Sequence, residues 1–319
     1  MTKTYREELE SKYGEGSLIV FDGKTPYPKI ESVSTGSFRL DQALGNGGIP
    51  LGRVIELYGP FSGGKSTVLM HTMANAQTKF PDKKVGLVDA EVESFDPERA
   101  QNVFGIDLTR VELVRPDSGE QAWDFVEAWL RSKEFSVIGV DSIASLVPMA
   151  ESEADFDKQS IGLLARMTTR AMRQLGPLVV KSGTALILIN QIRTQISMYG
   201  APEGRSGGHA LDHSCSLIVR FAKTDFIKQG SEVVGIEVKA AVTKNKVGPP
   251  KREAAFKIYF ATGIDLDDEL VSVGLDSGVI VKAGSWYKYQ DNNIGQGEKA
   301  AAAWLKEHPE VKEEIGRAG

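Results

Sequence analysis

The chain has 319 residues, of which 41 % are hydrophobic, and a formal net charge of −5 at pH 7. This size allows one large core with one or two small appendages, and the acidic balance excludes a generally basic nucleic-acid coat while leaving room for a local basic strip. Cys215 is the one cysteine, which excludes an internal disulfide. Without a basic-then-apolar leader or an apolar run of about 18 residues, the sequence predicts a cytoplasmic protein.

The first thirty residues predict a small appendage. A charged helix is expected over residues 4–12, with Leu9 as its main apolar residue, followed by a brief strand over residues 18–21 and a linker over residues 22–30. A helix this short does not fold alone, so it must pack on another surface. A short helix capped by serine is then expected within residues 33–44, ahead of a glycine cluster and the first core strand.

The stretch from Arg53 to Thr67 predicts a strand, a glycine-rich turn and the start of a helix. Gly59, Gly64, Lys65 and Ser66 have the spacing of a phosphate-binding loop. Glycines let successive N–H groups point at phosphate oxygens, and the helix dipole adds positive potential there. Lys65 is predicted to reach the β- and γ-phosphates, and the Ser66 hydroxyl to ligate Mg²⁺. The alternative, a glycine turn with a solvated lysine, is disfavoured by the flanking strand and helix patterns.

Strands alternate with helices after this loop, which is typical of an α/β fold with a mostly parallel central sheet. The predicted strands cover residues 53–58, 84–89, 111–114, 136–141, 185–190 and 217–221, and the predicted helices cover residues 65–79, 96–104, 119–133 and 157–181. Two later strands, 233–243 and 254–259, predict an antiparallel extension, because only short pieces separate them. After Gly263, short helices at 266–275 and 299–307 predict a small terminal domain.

Two apolar strands end in carboxylates that suit phosphate chemistry. Asp141 is predicted to hold Mg²⁺ through water beside the phosphate loop, although many buried strands end in an aspartate that only caps a turn. Glu91 is the candidate for orienting and activating the attacking water, in preference to Asp89 and Glu93. The alternative to the role of Glu91 is a solvated acid at a strand end.

A third strand ends at Asn190 and Gln191, and Gln191 could sense the γ-phosphate and pass its state to the segment behind it. That segment, 194–208, is rich in Gly, Ser and Pro and contains the apolar residues Ile196 and Tyr199. It predicts a mobile loop, because apolar side chains in a glycine-rich loop need a partner. An ordinary surface loop is the alternative.

Basic residues occur in two further places. The helix predicted over residues 157–181 carries Arg166, Arg170 and Arg173 on nearly one face without alternating acids, which favours binding of a phosphate backbone over a solvated face. Lys244 and Lys246 lie on the same side of a strand end; they are either solvated or able to reach a nucleotide bound by an adjacent subunit.

The chain resembles bacterial RecA recombinases over nearly its whole length, because the motifs of that family occur here in the same order. The matching stretches are 34–37, 58–67, 89–91, 117–122, 140–142, 190–193, 207–208, 244–246, 282–287 and 295–297. Several are specific to that family rather than general to phosphate-loop proteins. The resemblance implies an N-terminal polymerisation segment (1–31), a RecA-type ATPase and DNA-binding core (32–264) and a small α+β C-terminal domain (265–319).

The resemblance implies a DNA-dependent ATPase that binds ATP and Mg²⁺ between neighbouring subunits of a helical filament. The implied phosphate binders are Gly59, Pro60, Phe61, Ser62, Gly63, Gly64, Lys65, Ser66 and Thr67. Glu91 would activate water, Asp141 would be the acid on the Mg²⁺ side, and Gln191 would sense the γ-phosphate. Lys244 and Lys246 would act from the neighbour as equivalents of an arginine finger, together with Pro250 near the base. Asp96 and Arg99 are assigned to the nucleotide as well.

The resemblance also implies that the filament forms on single-stranded DNA, pairs it with a homologous double-stranded DNA and exchanges strands. The DNA loops would fall at about 153–160 and 194–205. The implied DNA-binding residues are Ile161, Arg166, Thr169, Arg173, Arg193, Ile196, Tyr199, Arg205, Gly207 and Gly208. Stacking and phosphate contacts tolerate any sequence, as a homology search requires. Loading factors and a self-cleaving repressor are further partners that the resemblance suggests.

The chain departs from the family at several positions. Arg99 stands where the family has a tyrosine that stacks on adenine, one extra residue lies between Glu91 and Asp96, and Phe61 replaces an acid of the phosphate loop. The second DNA loop is one residue shorter, with Tyr199 in place of a phenylalanine. His213 replaces an interface phenylalanine, which is expected to alter filament cooperativity.

The ends of the chain also differ from the family. The N-terminal helix is short, and the chain stops at Gly319 without the family's last helix and acidic tail. Because that tail restrains duplex binding, readier DNA loading is expected. These features suit a phage-encoded or otherwise divergent member. The alternatives are a ring-forming helicase or translocase on the same core, and a non-catalytic single-stranded-DNA-binding accessory.

Overall fold

The computed structural model describes residues 4–14, 18, 30–91, 95–153, 162–193, 204–208 and 210–318. Most of the predicted strand at 18–21 and of the linker at 22–30 lies outside these residues. The chain divides into two compact units, Met1–Ile30 and Glu31–Gly319. In the first unit, helix α1 (Tyr5–Tyr13) begins after Thr4, whose side chain and backbone exchange hydrogen bonds with Glu7. This capping box satisfies two N–H groups of the first turn and confirms the predicted N-terminal helix.

The second unit begins with elements that lead to the phosphate loop and then alternates strands with helices. In chain order they are β1 (Ser32–Val33), α2 (Phe38–Leu44), β2 (Ile49–Pro50), β3 (Val54–Gly59), α3 (Lys65–Lys79), β4 (Lys84–Asp89), α4 (Pro97–Phe104), β5 (Val111–Val114), α5 (Gly119–Ser132), β6 (Phe135–Asp141), α6 (Met149–Ser152), α7 (Leu163–Ser182), β7 (Ala185–Arg193), β8 (Gly204–Arg205), α8 (Ala210–Ser214), β9 (Leu217–Gln229), β10 (Glu232–Asn245) and β11 (Glu253–Tyr259).

The main sheet has the order β11-β10-β9-β3-β7-β6-β4-β5, and β8 pairs with β7. The strands from β9 through β3 to β5 are parallel, whereas β9, β10 and β11 pair antiparallel, as the sequence predicts. Every residue of β6 is buried, because helices cover both faces of this part of the sheet. Parallel order brings the C-terminal ends of β3, β4, β6 and β7 to one edge, where the predicted polar residues lie.

Two apolar clusters hold the sheet between its helices. One packs α3 against the sheet through Val68, Leu69 and Met73, and the other packs α5 and α7 against the opposite face through Trp129, Leu175 and neighbouring residues. Helix α7 covers the described part of the helix predicted over 157–181. The rest of that predicted helix lies outside the described residues.

The C-terminal part contains α9 (Leu266–Ser277), β12 (Ile280–Ala283), β13 (Trp286–Tyr289), β14 (Asn292–Gln296), α10 (Glu298–Lys306) and α11 (Pro309–Ala318). The three antiparallel strands confirm the α+β domain that the resemblance implies, although the sequence pattern located neither these strands nor α11. Each of these strands has four or five residues, and β12 and β14 bury a single side chain each, which is too weak a pattern to predict a strand. Glu269 of α9 joins this part to the core by accepting hydrogen bonds from the Ser37 hydroxyl (2.8 Å) and from the N–H groups of Phe38 (2.8 Å) and Arg39 (3.0 Å) at the start of α2. Among the described residues, no helix has the length and apolarity needed to span a membrane.

Candidate nucleotide site and basic helix face

The phosphate loop connects β3 to α3 and depends on two glycines. Gly59 has φ +153°, and a Cβ there would lie 2.2 Å from the carbonyl oxygen of Phe221. Gly64 has φ +89°, and a Cβ there would lie 2.4 Å from Ile258 Cδ1. A side chain at either position would collide with the sheet, so the loop conformation requires glycine. Helix α3 begins directly after Gly64, which turns the N–H groups of its first turn towards the loop.

The Lys65 ammonium lies inside this loop. Its Nζ donates hydrogen bonds to the carbonyl oxygens of Gly59 (3.1 Å) and Pro60 (2.7 Å), and the residue is only 6 % exposed. Burial lowers the pKa of Lys65, while the nearby Asp141 and Glu91 carboxylates oppose that shift. A buried cation whose partners are carbonyl groups is well placed to gain from an anionic phosphate.

Ser66 and Asp141 come together across the sheet edge. The Ser66 hydroxyl donates to Asp141 Oδ2 at 2.7 Å, and burial raises the pKa of Asp141 to about 6. The described residues contain no group of three or more His, Cys, Asp or Glu side chains that could hold a metal by themselves. Ser66 and Asp141 therefore fit a Mg²⁺ ion that takes its other ligands from phosphate and water.

Glu91 lies next to Asp141 and is held by two side chains. Its Oε1 accepts a hydrogen bond from the Ser142 hydroxyl at 2.9 Å and another from Gln191 Nε2. The Glu91 N–H donates to the carbonyl oxygen of Asp141 at 3.2 Å. The structure thus brings together the predicted water-activating acid and the predicted phosphate sensor. Sequence reasoning missed Ser142 as a partner of Glu91, although its position directly after Asp141 at a strand end was a usable signal.

A small cavity adjoins the far side of the loop. It has a volume of about 110 Å³ and lies between the start of α3 and α4. Ser66, Thr67 and Asp141 line one side, Asp96 and Arg99 line the other, and Met70, Leu87, Phe95, Ala100 and Phe104 are the apolar lining. The Arg99 guanidinium lies 5.8 Å from the centroid of the Phe104 ring. Asp96 and Arg99, both assigned to the nucleotide, therefore line the cavity that begins at the phosphate loop.

Lys244 and Lys246, at the end of β10, contact α8 rather than the phosphate loop of their own chain. Lys244 Nζ donates to the carbonyl oxygen of Asp212, and Lys246 Nζ to that of His213 at 3.4 Å. Burial, followed by the neighbouring charge of Lys246, lowers the pKa of Lys244. Pro250 is exposed in the turn that follows. Within the described part of the chain, neither lysine therefore donates a hydrogen bond to the phosphate loop of its own chain. Lysines that bind a nucleotide on a neighbouring subunit would also have to be free of their own loop.

A buried network that sequence reasoning missed connects β3, β7 and β8. Glu56 is fully buried; its Oε1 accepts from Asn190 Nδ2 at 2.9 Å and its Oε2 from an Arg205 guanidinium nitrogen at 2.6 Å. Asn190 Nδ2 also donates to the carbonyl oxygen of Ser206 at 2.8 Å. Arg205 further pairs with Asp212 and lies over the Tyr58 ring. The predicted DNA residue Arg205 therefore lies in an intramolecular network that begins one residue from Gln191.

The predicted arginine stripe forms an exposed basic face on α7. Arg166, Thr169, Arg170 and Arg173 line one surface depression of about 580 Å³ together with Gly208. No described carboxylate forms an ion pair with any of the three arginines. A Cβ at Gly207 would lie 3.4 Å from Thr168, which places this glycine beside α7 as well. Exposed cations that form no ion pair with a described carboxylate suit a polyanion.

Other predicted DNA residues lie outside the described part of the structure. These are Ile161, Ile196, Tyr199 and the side chain of Arg193.

The fold and the site define a class of protein. A phosphate loop joins a parallel strand to a helix, and its serine donates to a carboxylate at the end of β6, a strand separated from β3 by β7 in the same sheet. This is the arrangement of phosphate-loop nucleoside triphosphatases. An acid held next to a strand-end glutamine lies at the same sheet edge, and the basic face of α7 lies on the same protein core.

Comparison with known proteins identifies the family. Residues 2–265 match the RecA N-terminal domain and residues 268–318 match the RecA C-terminal domain. The chain is 43 % identical over 311 residues to Protein RecA of Nitratiruptor sp., covering 97 % of this chain and 89 % of that protein. It is 44 % identical over 309 residues to Protein RecA of Thermus aquaticus, covering 96 % and 89 %. The chain belongs to the RecA family, whose members are DNA-dependent ATPases of homologous recombination.

Proposed function

We propose that this protein binds ATP with Mg²⁺ at the seam between two subunits and assembles as a helical filament on single-stranded DNA. In this form it pairs the strand with a homologous duplex and exchanges strands. The observation that carries the proposal is the contact of Glu91 with Gln191 and Ser142, beside the Ser66–Asp141 hydrogen bond. This arrangement supports the roles proposed for Glu91 in orienting water, for Gln191 in sensing phosphate and for Ser66 and Asp141 in holding Mg²⁺.

Each side chain of the phosphate site has a proposed role. The loop from Gly59 to Thr67 presents N–H groups, and Lys65 exchanges its carbonyl partners for phosphate oxygens. Ser66 and Asp141 would hold Mg²⁺, which supplies charge neutralisation of the phosphates. Glu91 accepts a proton from the attacking water and Gln191 follows the γ-phosphate. Because Gln191 donates a hydrogen bond to Glu91, movement of Gln191 towards the γ-phosphate would also change the position and hydrogen bonding of the Glu91 carboxylate.

The neighbouring subunit completes the site in this proposal. Lys244 and Lys246 of one copy reach the phosphates of the next, and Pro250 of the same copy lies near the base. Both lysines donate to carbonyl groups of α8 rather than to their own phosphate loop, which supports this assignment. The division into an N-terminal polymerisation segment (1–31), a core (32–264) and a C-terminal domain (265–319) belongs to the same proposal.

The basic face of α7 supplies the contact with the DNA backbone. Arg166 and Arg173 bind phosphates, with Thr169, Arg193 and the N–H groups of Gly207 and Gly208 alongside. Ile161, Ile196 and Tyr199 contribute the stacking and wedging contacts. Loading factors and a self-cleaving repressor are proposed as further partners of the filament.

The test is hydrolysis of ATP with and without single-stranded DNA. The proposal expects strong stimulation by the strand and no hydrolysis in Lys65→Ala. Arg166→Ala and Arg173→Ala are expected to weaken DNA binding, and each should reduce the magnitude of its salt slope by about 1, because one phosphate is then no longer neutralised. Lys181→Ala, at the far end of the same helix, is the matched control. Equal background rates with and without DNA would refute the proposal, and electron micrographs of closed hexamers on DNA would favour a ring-forming translocase.

A further inference from the structure

The cavity between α3 and α4 raises the question of which base this protein accepts. It shares Ser66 and Thr67 with the phosphate loop, so a nucleotide whose phosphates lie on the loop has this cavity within its reach. Its volume of about 110 Å³ is below the range of pockets that enclose a whole drug-sized ligand. It therefore takes one flat part of the nucleotide, and its apolar lining suits the face of a base.

Asp96 offers one hydrogen-bond acceptor to this cavity. As the N-cap of α4, its Oδ1 accepts from the N–H groups of Glu98 (2.9 Å) and Arg99 (3.2 Å). Its Oδ2 accepts no hydrogen bond from the described residues and remains available. A carboxylate oxygen can accept from the N6 amino group of adenine but is repelled by the O6 atom of guanine.

Arg99 offers the opposite chemistry one helical turn further along. Its guanidinium contacts the Phe104 ring at 5.8 Å and, among the described residues, forms no ion pair. The side chain is exposed, so it can turn towards the cavity without breaking a buried interaction. A guanidinium donates to O6 and N7 of guanine as a matched pair, and it can still donate to N7 of adenine.

We propose that the site accepts both purines, with Asp96 selecting the adenine amino group and Arg99 admitting guanine, so that GTP is a substrate alongside ATP. Both purines present N7 and the group at position 6 on the same edge, so one pair of side chains can serve either base. This inference rests on the proposed nucleotide site and specifies its substrate class.

Two substitutions shift the preference in opposite directions. Arg99→Leu removes the donor and is expected to weaken GDP binding and the kcat/KM for GTP by about tenfold or more. The values for ADP and ATP should fall by a smaller factor, because adenine loses the contact at N7 alone whereas guanine loses contacts at both O6 and N7. Asp96→Asn retains the helix cap, because an amide oxygen can accept from the same N–H groups. The amide then turns its NH₂ group to the base, which favours guanine and weakens adenine binding. Glu98→Gln, on the same turn and outside the cavity lining, is the matched control.

The experiment measures displacement of a fluorescent ADP from the full-length protein by ADP and by GDP, followed by steady-state hydrolysis of ATP and GTP on single-stranded DNA. The proposal expects GDP to bind within about tenfold of ADP and the two variants to move that ratio in opposite directions. A GDP affinity more than about a hundredfold below that of ADP, or a ratio unchanged in Arg99→Leu, overturns it. Failure of the unmodified protein to bind either nucleotide would overturn the proposed nucleotide site itself, a result clearly different from strict selection of adenine.

Discussion

Replacement of Arg205 by methionine is expected to destabilise the protein through the carboxylate it leaves behind. Glu56 is fully buried and has two described partners, Asn190 at 2.9 Å and Arg205 at 2.6 Å. Burial already raises the pKa of Glu56, and the Arg205 charge is the main influence opposing that shift. Methionine retains the apolar stem of the side chain but removes the charge, so Glu56 is either ionised without its cation or protonated at a free-energy cost.

The magnitude follows from the exposure of the two partners. Removing one member of a buried ion pair typically costs about 3 to 5 kcal/mol. The side chain of Arg205 is 22 % exposed and that of Glu56 is 0 % exposed, so water partly replaces the missing cation and we expect a destabilisation of about 2 to 3 kcal/mol at pH 8. The destabilisation should be smaller at pH 5, because a Glu56 with a further raised pKa then takes up a proton and no longer needs a cation.

The assay is urea unfolding followed by circular dichroism at both pH values. Arg131→Met is the control, because the Arg131–Glu127 pair is exposed and should contribute less than about 0.5 kcal/mol. The double variant Glu56→Gln, Arg205→Met should recover about 1 kcal/mol or more relative to the sum of the single variants, since neither charge is then left alone. A destabilisation no larger than in Arg131→Met, or strict additivity in the double variant, refutes the reasoning.

Three further predictions concern the site and its support. Glu91→Gln should lower kcat for ATP by about 10² to 10⁴ while ADP binding stays within a few fold, because the amide cannot take a proton from water; hydrolysis within tenfold of the unmodified rate would contradict this. Asp141 has its pKa raised from 3.8 to about 6 in the folded state, so its charge reduces stability above pH 6 and has no effect below pH 3.8. Asp141→Asn should therefore raise the free energy of unfolding by about 2 to 3 kcal/mol at pH 8 but not at pH 4, while abolishing Mg²⁺-dependent nucleotide binding, and equal stabilisation at both pH values would argue against it. Glu269→Ala removes the acceptor of three hydrogen bonds at the start of α2 and should cost about 2 to 3 kcal/mol in thermal unfolding, whereas Glu313→Ala, at an exposed pair, should be nearly neutral.

The sequence was most informative where local chemistry determines local structure. The spacing of Gly59, Gly64 and Lys65 predicts the loop, because a Cβ at either glycine would collide with neighbouring atoms. The strand that ends in Asp141 and the one that carries Gln191 near its end are apolar over most of their length, and their parallel order places both ends at one edge. For this reason the sequence predicts that these strand ends meet beside the loop.

The rest depends on contacts that are distant along the chain. Glu56 and Arg205 are 149 positions apart, and nothing near either residue predicts that they meet. The family resemblance assigned Arg205 to DNA, and that assignment stays a prediction. Its partners within the chain follow from the pairing of β8 with β7. The C-terminal strands were missed for a different reason, since most of their side chains are exposed and no alternation is visible.

The most direct test of the central claim is the assembly of the protein on single-stranded DNA with different nucleotides. Electron microscopy and light scattering should show long helical filaments with a non-hydrolysable ATP analogue, and much weaker assembly with ADP or with no nucleotide. Lys65→Ala should not respond to the analogue. Filaments of equal length and stability under all three conditions would contradict the account, because the contact between Gln191 and Glu91 would then have no influence on the DNA-binding face.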